Sequence, residues 1–323
     1  MSRTERALIA IALVVFGASV IAQQTAPAPA APTGPIPTGL PEWAYTPPNP
    51  PGSPPPPSAL PTDDAVVVRI PGVTKTMTRG ELRGVKEIPD WYPEERHGAM
   101  PAVVKVGRLQ EGVRARGFCH LADGTGRPEN APVNSLHPTY FTQQMEDFKN
   151  GLRDSADPRK NNTNIESRTA PKVRLQSGMH MAVPAGQGGG MEPLSNDEIV
   201  EVPDDNLRAE SRDTRMGWTA YVPVGTLNKG KVVAARSQCA VCHGANLEGV
   251  GPVPPLAGRS PSYTMRQLFD MKEGTRRGPW SELMKPIVDK MSVEDMLNVS
   301  AYAASLAPQA TAGARETPRR RSA

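Results

Sequence analysis

The longest apolar stretch of the chain comes first. From Ala7 to Ala22 nearly every residue is hydrophobic, and Arg3 and Arg6 precede it. A basic start followed by an apolar run of this length has the form of an export signal and is marginally short for a membrane span. Val20-Ile21-Ala22 before Gln23 resembles a small-residue cleavage site. Residues 1–22 are therefore expected to be a signal peptide or, if uncleaved, a membrane anchor. Downstream, Val66-Val-Val-Arg-Ile70 predicts a short strand, and from Leu227 onward the pattern becomes helical. Leu227 to Ser237 predicts one helix. Ser260 followed by Pro261 predicts a second, with a serine cap, proline at its first position and Gly274 as its stop. Ser292-Val-Glu-Asp295 resembles a capping box. It opens a last helix that gathers Met296, Val299, Tyr302, Ala303 and Leu306 on one face.

Composition changes this picture in one region. Prolines crowd between Pro27 and Pro61, including Pro54-Pro55-Pro56-Pro57. Such a segment favours extended polyproline II and cannot bury enough apolar surface to fold. Residues 23–62 are read as a disordered Pro/Ala-rich linker acting as a semi-rigid spacer. The rest is long enough for two domains, placed at 63–212 and 213–308. The net charge of +4 owes much to Arg315, Arg319, Arg320 and Arg321. Residues 309–323 read as a solvated basic tail, and no nucleic-acid partner is expected.

The chain has three cysteines, Cys119, Cys239 and Cys242. An odd count in an exported protein leaves a thiol without a disulfide partner. Thioether bonds to a cofactor remove that difficulty, and Cys239-Ala-Val-Cys242-His243 has the spacing for covalent haem c. Two thiols three positions apart can each add to a vinyl group of one haem, and the adjacent histidine can meet the iron. A zinc site would need two more ligands, and a thioredoxin-like reading would need a βαβ context. Met284, in the loop Leu283-Met-Lys-Pro286 before the last helix, is the candidate sixth ligand. By default a methionine there is core filler.

Residues 227–307 resemble a class I cytochrome c domain of the cytochrome c4 and c553 group. The matching stretches are Cys239-Ala-Val-Cys-His-Gly244, Pro254-Pro-Leu-Ala-Gly258, Ser260-Pro-Ser-Tyr-Thr-Met-Arg-Gln-Leu268, Lys272-Glu-Gly-Thr-Arg276 and Leu283-Met-Lys-Pro-Ile287. The resemblance implies His243 and Met284 as axial ligands. It also implies a carbonyl at Pro254 or Pro255 that accepts the histidine's free N–H and fixes its ring. Ligation by His and Met raises the reduction potential and fills both axial positions.

An internal repeat extends the resemblance. Residues 119–151 align without a gap on 242–274. Cys119 and His120 meet Cys242 and His243. Pro138, Tyr140, Gln144, Asp147 and Gly151 meet Pro261, Tyr263, Gln267, Asp270 and Gly274. The first copy departs at Arg116, which stands where Cys239 stands in the second, so only one thioether can form there. Either a haem binds through Cys119 with His120 as ligand, or the domain is a degenerate docking module. Met179 and Met181 are its candidate sixth ligands, with His180 an outsider.

The expected fold class is mainly α, with two tandem cytochrome c-like helical domains behind the linker. The expected function is periplasmic single-electron transfer between a redox donor and acceptor, with no catalysis of its own. The setting is the electron-accepting subunit of a dehydrogenase or a shuttle to a terminal oxidase, with a possible N-terminal tether. Two rivals stand: an enzyme acting on sulfur compounds or peroxide at an atypical first haem, and a one-haem carrier with a docking domain.

Overall fold

The computed structural model describes residues 37–45, 58–83, 87–93, 98–108, 114–150, 152–153, 169–176 and 179–307, all within one unit that begins at Gly34. The expected signal or anchor, most of the proline-rich stretch and the basic tail lie outside those residues. Among the described residues no helix is long and apolar enough to cross a membrane.

The expected strand forms as β1 (Val67–Arg69), paired antiparallel with β2 (Thr76–Thr78). Helix α1 (Arg79–Arg83) follows, and Val68, Ile70, Leu82, Trp91 and Tyr92 close a small core around them. The aromatic patch at 90–92 is part of this packing. Trp91 Nε1 donates to the Ser211 carbonyl at 2.9 Å, and the Tyr92 hydroxyl donates to Asp213 at 2.9 Å. Short α2 (Ala102–Lys105) and α3 (Gly117–His120) lead to α4 (Pro138–Lys149).

The stretch after α4 carries elements the sequence did not announce. Strand β3 (Thr169–Pro171) pairs with β6 (Met191–Pro193), and β4 (Val173–Gln176) pairs with β5 (Met179–Ala182). Strand β7 (Val200–Pro203) pairs with β8 (Trp218–Tyr221), flanking α5 (Asn206–Glu210). These strands are three or four residues long, too short for alternation to stand out, and β7 is buried along its whole length. Helix resumes with α6 (Thr226–Arg236), α7 (Cys239–His243), α8 (Pro261–Lys272), α9 (Lys285–Val288) and α10 (Val293–Ser305). The capping box at Ser292 and Asp295 forms as expected. The mainly α expectation is consistent with these helices, and the small sheets, all before α6, accompany them.

Part of the expected linker belongs to the fold. Ala44 and Tyr45 are fully buried, and Leu40 and Trp43 pack on the core of α8 to α10. The Tyr45 hydroxyl donates to Asp270 at 2.6 Å, and its ring meets Phe269 edge-on at 5.8 Å. Three large apolar side chains, at 40, 43 and 45, interrupt the proline pattern here. Burying Tyr45 with a partner for its hydroxyl, and part of Trp43, outweighs the chain freedom a spacer would keep.

The sequence repeat is also a structural repeat, hydrogen bond for hydrogen bond. Gly126 N–H donates to the His120 carbonyl at 2.9 Å, and Gly249 N–H donates to the His243 carbonyl at 2.7 Å. Val133 and Asn134 donate to the Gly124 carbonyl, as Leu256 and Ala257 do to Leu247. The bridge between Arg127 and Asn130 matches that between Val250 and Val253. The two copies meet through a crossed pair of arginines. Arg153 donates to the Tyr263 hydroxyl at 3.0 Å and to Gln267 at 2.9 Å. Arg276, in the same repeat position, donates to the Tyr140 hydroxyl and to Gln144, each at 2.8 Å. Residue for residue, the contact has the reciprocity of a two-fold interface.

Glu201 on β7 is buried beneath the start of α8, where the Ser262 hydroxyl donates to it at 3.0 Å. Burial pushes its carboxyl well above the usual range; the Ser260 hydroxyl and Arg266 lower it, and Glu129 raises it further. A raised folded-state pKa favours folding below the unfolded value of about 4.5 and opposes it as pH rises. Glu201→Gln is therefore expected to raise the melting temperature at pH 7 to 8, and the gain should vanish below about pH 4.5. Thermal melts across that range would read it; a gain independent of pH would contradict the argument.

Candidate functional site

Helix α7 is a single turn entered through Gln238 at φ 56° and left through Gly244 at φ 89°. Both residues sit in the left-handed region, so the turn carries Cys239, Cys242 and His243 as a short projecting unit. Cys239 is half-buried and Cys242 exposed. Burial pushes the Cys239 thiol up. The His243 Nδ1 lies 2.8 Å from the Pro254 carbonyl. A carbonyl can only accept, so Nδ1 carries the proton and Nε2 keeps its lone pair. Burial lowers the imidazole pKa, against the opposing pull of that hydrogen bond. Neutral imidazole with a free Nε2 is the form that binds a metal.

Cys239, Cys242 and His243 line one cavity with Met284. Leu256, Leu268, Met271, Ile287 and Val299 make most of its remaining wall apolar. Met284 sits at the head of α9 and packs on the core that holds Leu268 and Met271. The His243 loop has a separate cluster, Leu247, Ala257 and Ala303. Arg259, Arg276, Tyr263 and Trp280 line the same cavity, and Leu136 and Tyr140 of the first copy complete it. Arg259 reaches across to the Pro132 carbonyl at 2.9 Å. Two thiols, one imidazole with a free nitrogen, a thioether and a hydrophobic wall fit a covalently held haem. The motif and Met284 were legible beforehand; the arginine and tyrosine rim was not. Its only signal was that Arg153 and Arg276 continue the repeat two residues beyond Gly151 and Gly274.

In the first copy α3 carries Cys119 and His120, with Arg116 at its start. His120 Nδ1 lies 2.7 Å from the Ala131 carbonyl, eleven residues on, as Pro254 lies from His243. Burial also lowers the His120 pKa. Arg212 stacks on the Phe118 ring at 3.8 Å. Met179 and Met181 are both buried in a cluster with Ala209, Met216 and Trp218. An Arg127 N–H donates to the Met179 sulfur at 3.5 Å. His180 is buried on β5 between them.

The sequence profile described as Cytochrome c matches residues 227–307. Cytochrome c-554(548) of Halomonas halodenitrificans is 34% identical over 68 residues, covering 21% of this chain and 82% of that protein. Cytochrome c4 of Pseudomonas aeruginosa is 25% identical over 190 residues, 58% of this chain and 81% of its own length. A thiosulfate dehydrogenase electron acceptor of Stutzerimonas stutzeri is 27% identical over 201 residues, 60% of this chain and 79% of its own. The longer two matches reach beyond the profile and cover more than half the chain.

Proposed function

This chain belongs to the cytochrome c family as a c4-like electron-transfer protein, and from that premise we propose that it relays single electrons between periplasmic redox proteins through two haems. Cys239 and Cys242 would hold the second haem by thioethers, and His243 Nε2 and the Met284 sulfur would serve as its iron ligands. When bound, the haem supplies an iron that cycles between Fe(III) and Fe(II). The chain's part is to hold that iron still and dry. Pro254 fixes the His243 ring through Nδ1. Leu268, Met271, Ile287 and Val299 exclude water, so the charge change meets little solvent rearrangement. With His243 and Met284 both engaged, the haem would offer a substrate no open ligand position. The observation that carries this reading is His243, with Nδ1 held and Nε2 free, in an apolar cavity it shares with Met284 and both motif cysteines.

A first haem would be held by Cys119 alone, with His120 as a ligand. The support is the duplicated loop, which orients His120 on Ala131 as His243 is oriented on Pro254. A dehydrogenase as electron donor is supported by the relative that accepts electrons from one. Periplasmic placement rests on the N-terminal basic and apolar pattern.

Haem per chain, from a pyridine haemochrome spectrum against protein mass, tests the count, with two expected. One would leave the first copy as a docking domain, and none would sink the reading. A redox titration tests the ligands. Met284→Ala is expected to lower one midpoint potential by on the order of tenths of a volt, because thioether ligation favours the reduced iron. An unchanged potential would remove Met284 from the iron.

A further inference from the structure

The repeat makes a second comparison possible, on the faces of its two long helices. In α8 the positions 264, 268 and 271 carry Thr264, Leu268 and Met271, and all three line the cavity of His243. They are 6% to 7% exposed. In α4 the same positions carry Phe141, Met145 and Phe148. These are 41%, 45% and 53% exposed, although they lie in a row one helical turn apart. The Arg153 guanidinium lies over the Phe148 ring at 4.6 Å, and two phenylalanines and a methionine so exposed still leave apolar surface to cover. The register says which: the face that meets the haem cavity in the second copy is the face presented here, on the helix that follows Cys119 and His120.

The second copy also shows on which side of the cavity this face lies. Leu268 belongs to the core cluster against which Met284 packs, and the His243 loop packs in a different one. Position 145 is thus on the side of the sixth ligand. There the first copy replaces Leu268 with a methionine, which places a polarizable sulfur where the second copy has a methyl carbon. The methionines of β5 are less suited. Met179 and Met181 are enclosed with Ala209, Met216 and Trp218, and Arg127 engages the Met179 sulfur. Arg127 stands at the position of Val250, which is not among the residues lining the second cavity.

We propose that Met145 supplies the sulfur ligand opposite His120 in the first copy, and that Phe141 and Phe148 wall the same haem. The first copy would then keep His/Met ligation while taking its methionine from the long helix, not from a loop like that of Met284. This rests on the reading that a haem is held at Cys119.

The test uses the full-length haem-loaded protein and two readouts, haem per chain and the ferric thioether-to-iron charge-transfer band. Wild type is expected to hold two haems and to show the band of two thioether-ligated irons. Met145→Leu, which installs the residue the second copy uses, should keep both haems and cut the band to the contribution of one. Met145→Leu with Met284→Leu should abolish it, and Met179→Leu with Met181→Leu should leave it whole. Two haems with an undiminished band in Met145→Leu would overturn the inference, as would a wild type with two haems and the band of only one. A wild type with a single haem would instead overturn the reading on which the inference rests.

Discussion

Replacing Cys239 and Cys242 together by serine is expected to remove covalent haem from the second copy and to loosen the packing of α8 to α10 around it. The two thiols flank the cavity, and α8, α9 and α10 are packed around it through Leu268, Met271, Ile287 and Val299. The walls pack on one another, so losing the haem leaves the cavity itself unfilled. The cavity measures about 200 Å³. At roughly 24 cal/mol per Å³, a void of that size costs on the order of 5 kcal/mol. A small domain has only about 5–15 kcal/mol of net stability in total. The doubly substituted protein should therefore lose one haem on a denaturing gel stained for haem and melt early in the part that contains α8 to α10. Cys119→Ser is the matching control. It should remove the other covalent haem and leave the second domain's melting unchanged, because the second cavity takes only Leu136 and Tyr140 from the first copy. Full covalent haem after the double substitution would contradict the assignment of both thiols.

What the sequence made legible was what leaves a periodic or spaced mark. The helix opening at Pro261 and the capping box at Ser292 depend on short-range chemistry, and both form. Cys239, Cys242 and His243 could be picked out because covalent attachment demands a fixed spacing, Met284 because it lies in the loop before the last helix, and the four share one cavity. The repeat was visible because no gap interrupts it. Less visible was whatever depends on distant partners. Tyr45 lies in a proline-rich stretch, and its burial is decided by Asp270 and Phe269, more than two hundred residues away. Strands β3 to β8 are too short to show a period, and their pairing is set by tertiary contacts. Met179 and Met181 were attractive as ligands for lying in a suitable part of the chain. Their strand turns them into a cluster of their own, a fact of side-chain direction that composition does not carry.

The buried arginines at the junction of the copies carry the other large effect. Arg276→Ala is expected to weaken the docking of the two copies by about 1–3 kcal/mol. Arg276 is buried and reaches three acceptors, the Tyr140 hydroxyl, Gln144 and Gln267. Burial opposes its charge, but Tyr140, Tyr263 and Asp270 more than offset that, so its pKa moves up. Removing the side chain takes this donor from the buried Tyr140 hydroxyl, while Gln144 and Gln267 keep Arg153. Arg276→Lys should not rescue, because a single ammonium cannot span the three sites that the planar fork reaches. Arg153→Ala should act alike, since Arg153 donates across the same junction to Tyr263 and Gln267 and to its own Gln144. The two arginines share Gln144 and Gln267, so their effects should be non-additive by on the order of 1 kcal/mol or more in a double-mutant cycle. Small-angle scattering would show the copies moving apart, and limited proteolysis would cut faster between Leu152 and Arg174. Because Tyr140 and Arg276 also line the second cavity, Arg276→Ala should admit water beside the second haem and shift its midpoint potential. An unaltered scattering profile with an unaltered potential would mean that the crossed arginines neither hold the copies together nor seal the site. The same variants at an exposed arginine such as Arg236 should change neither readout, which separates loss of this junction from loss of positive charge in general.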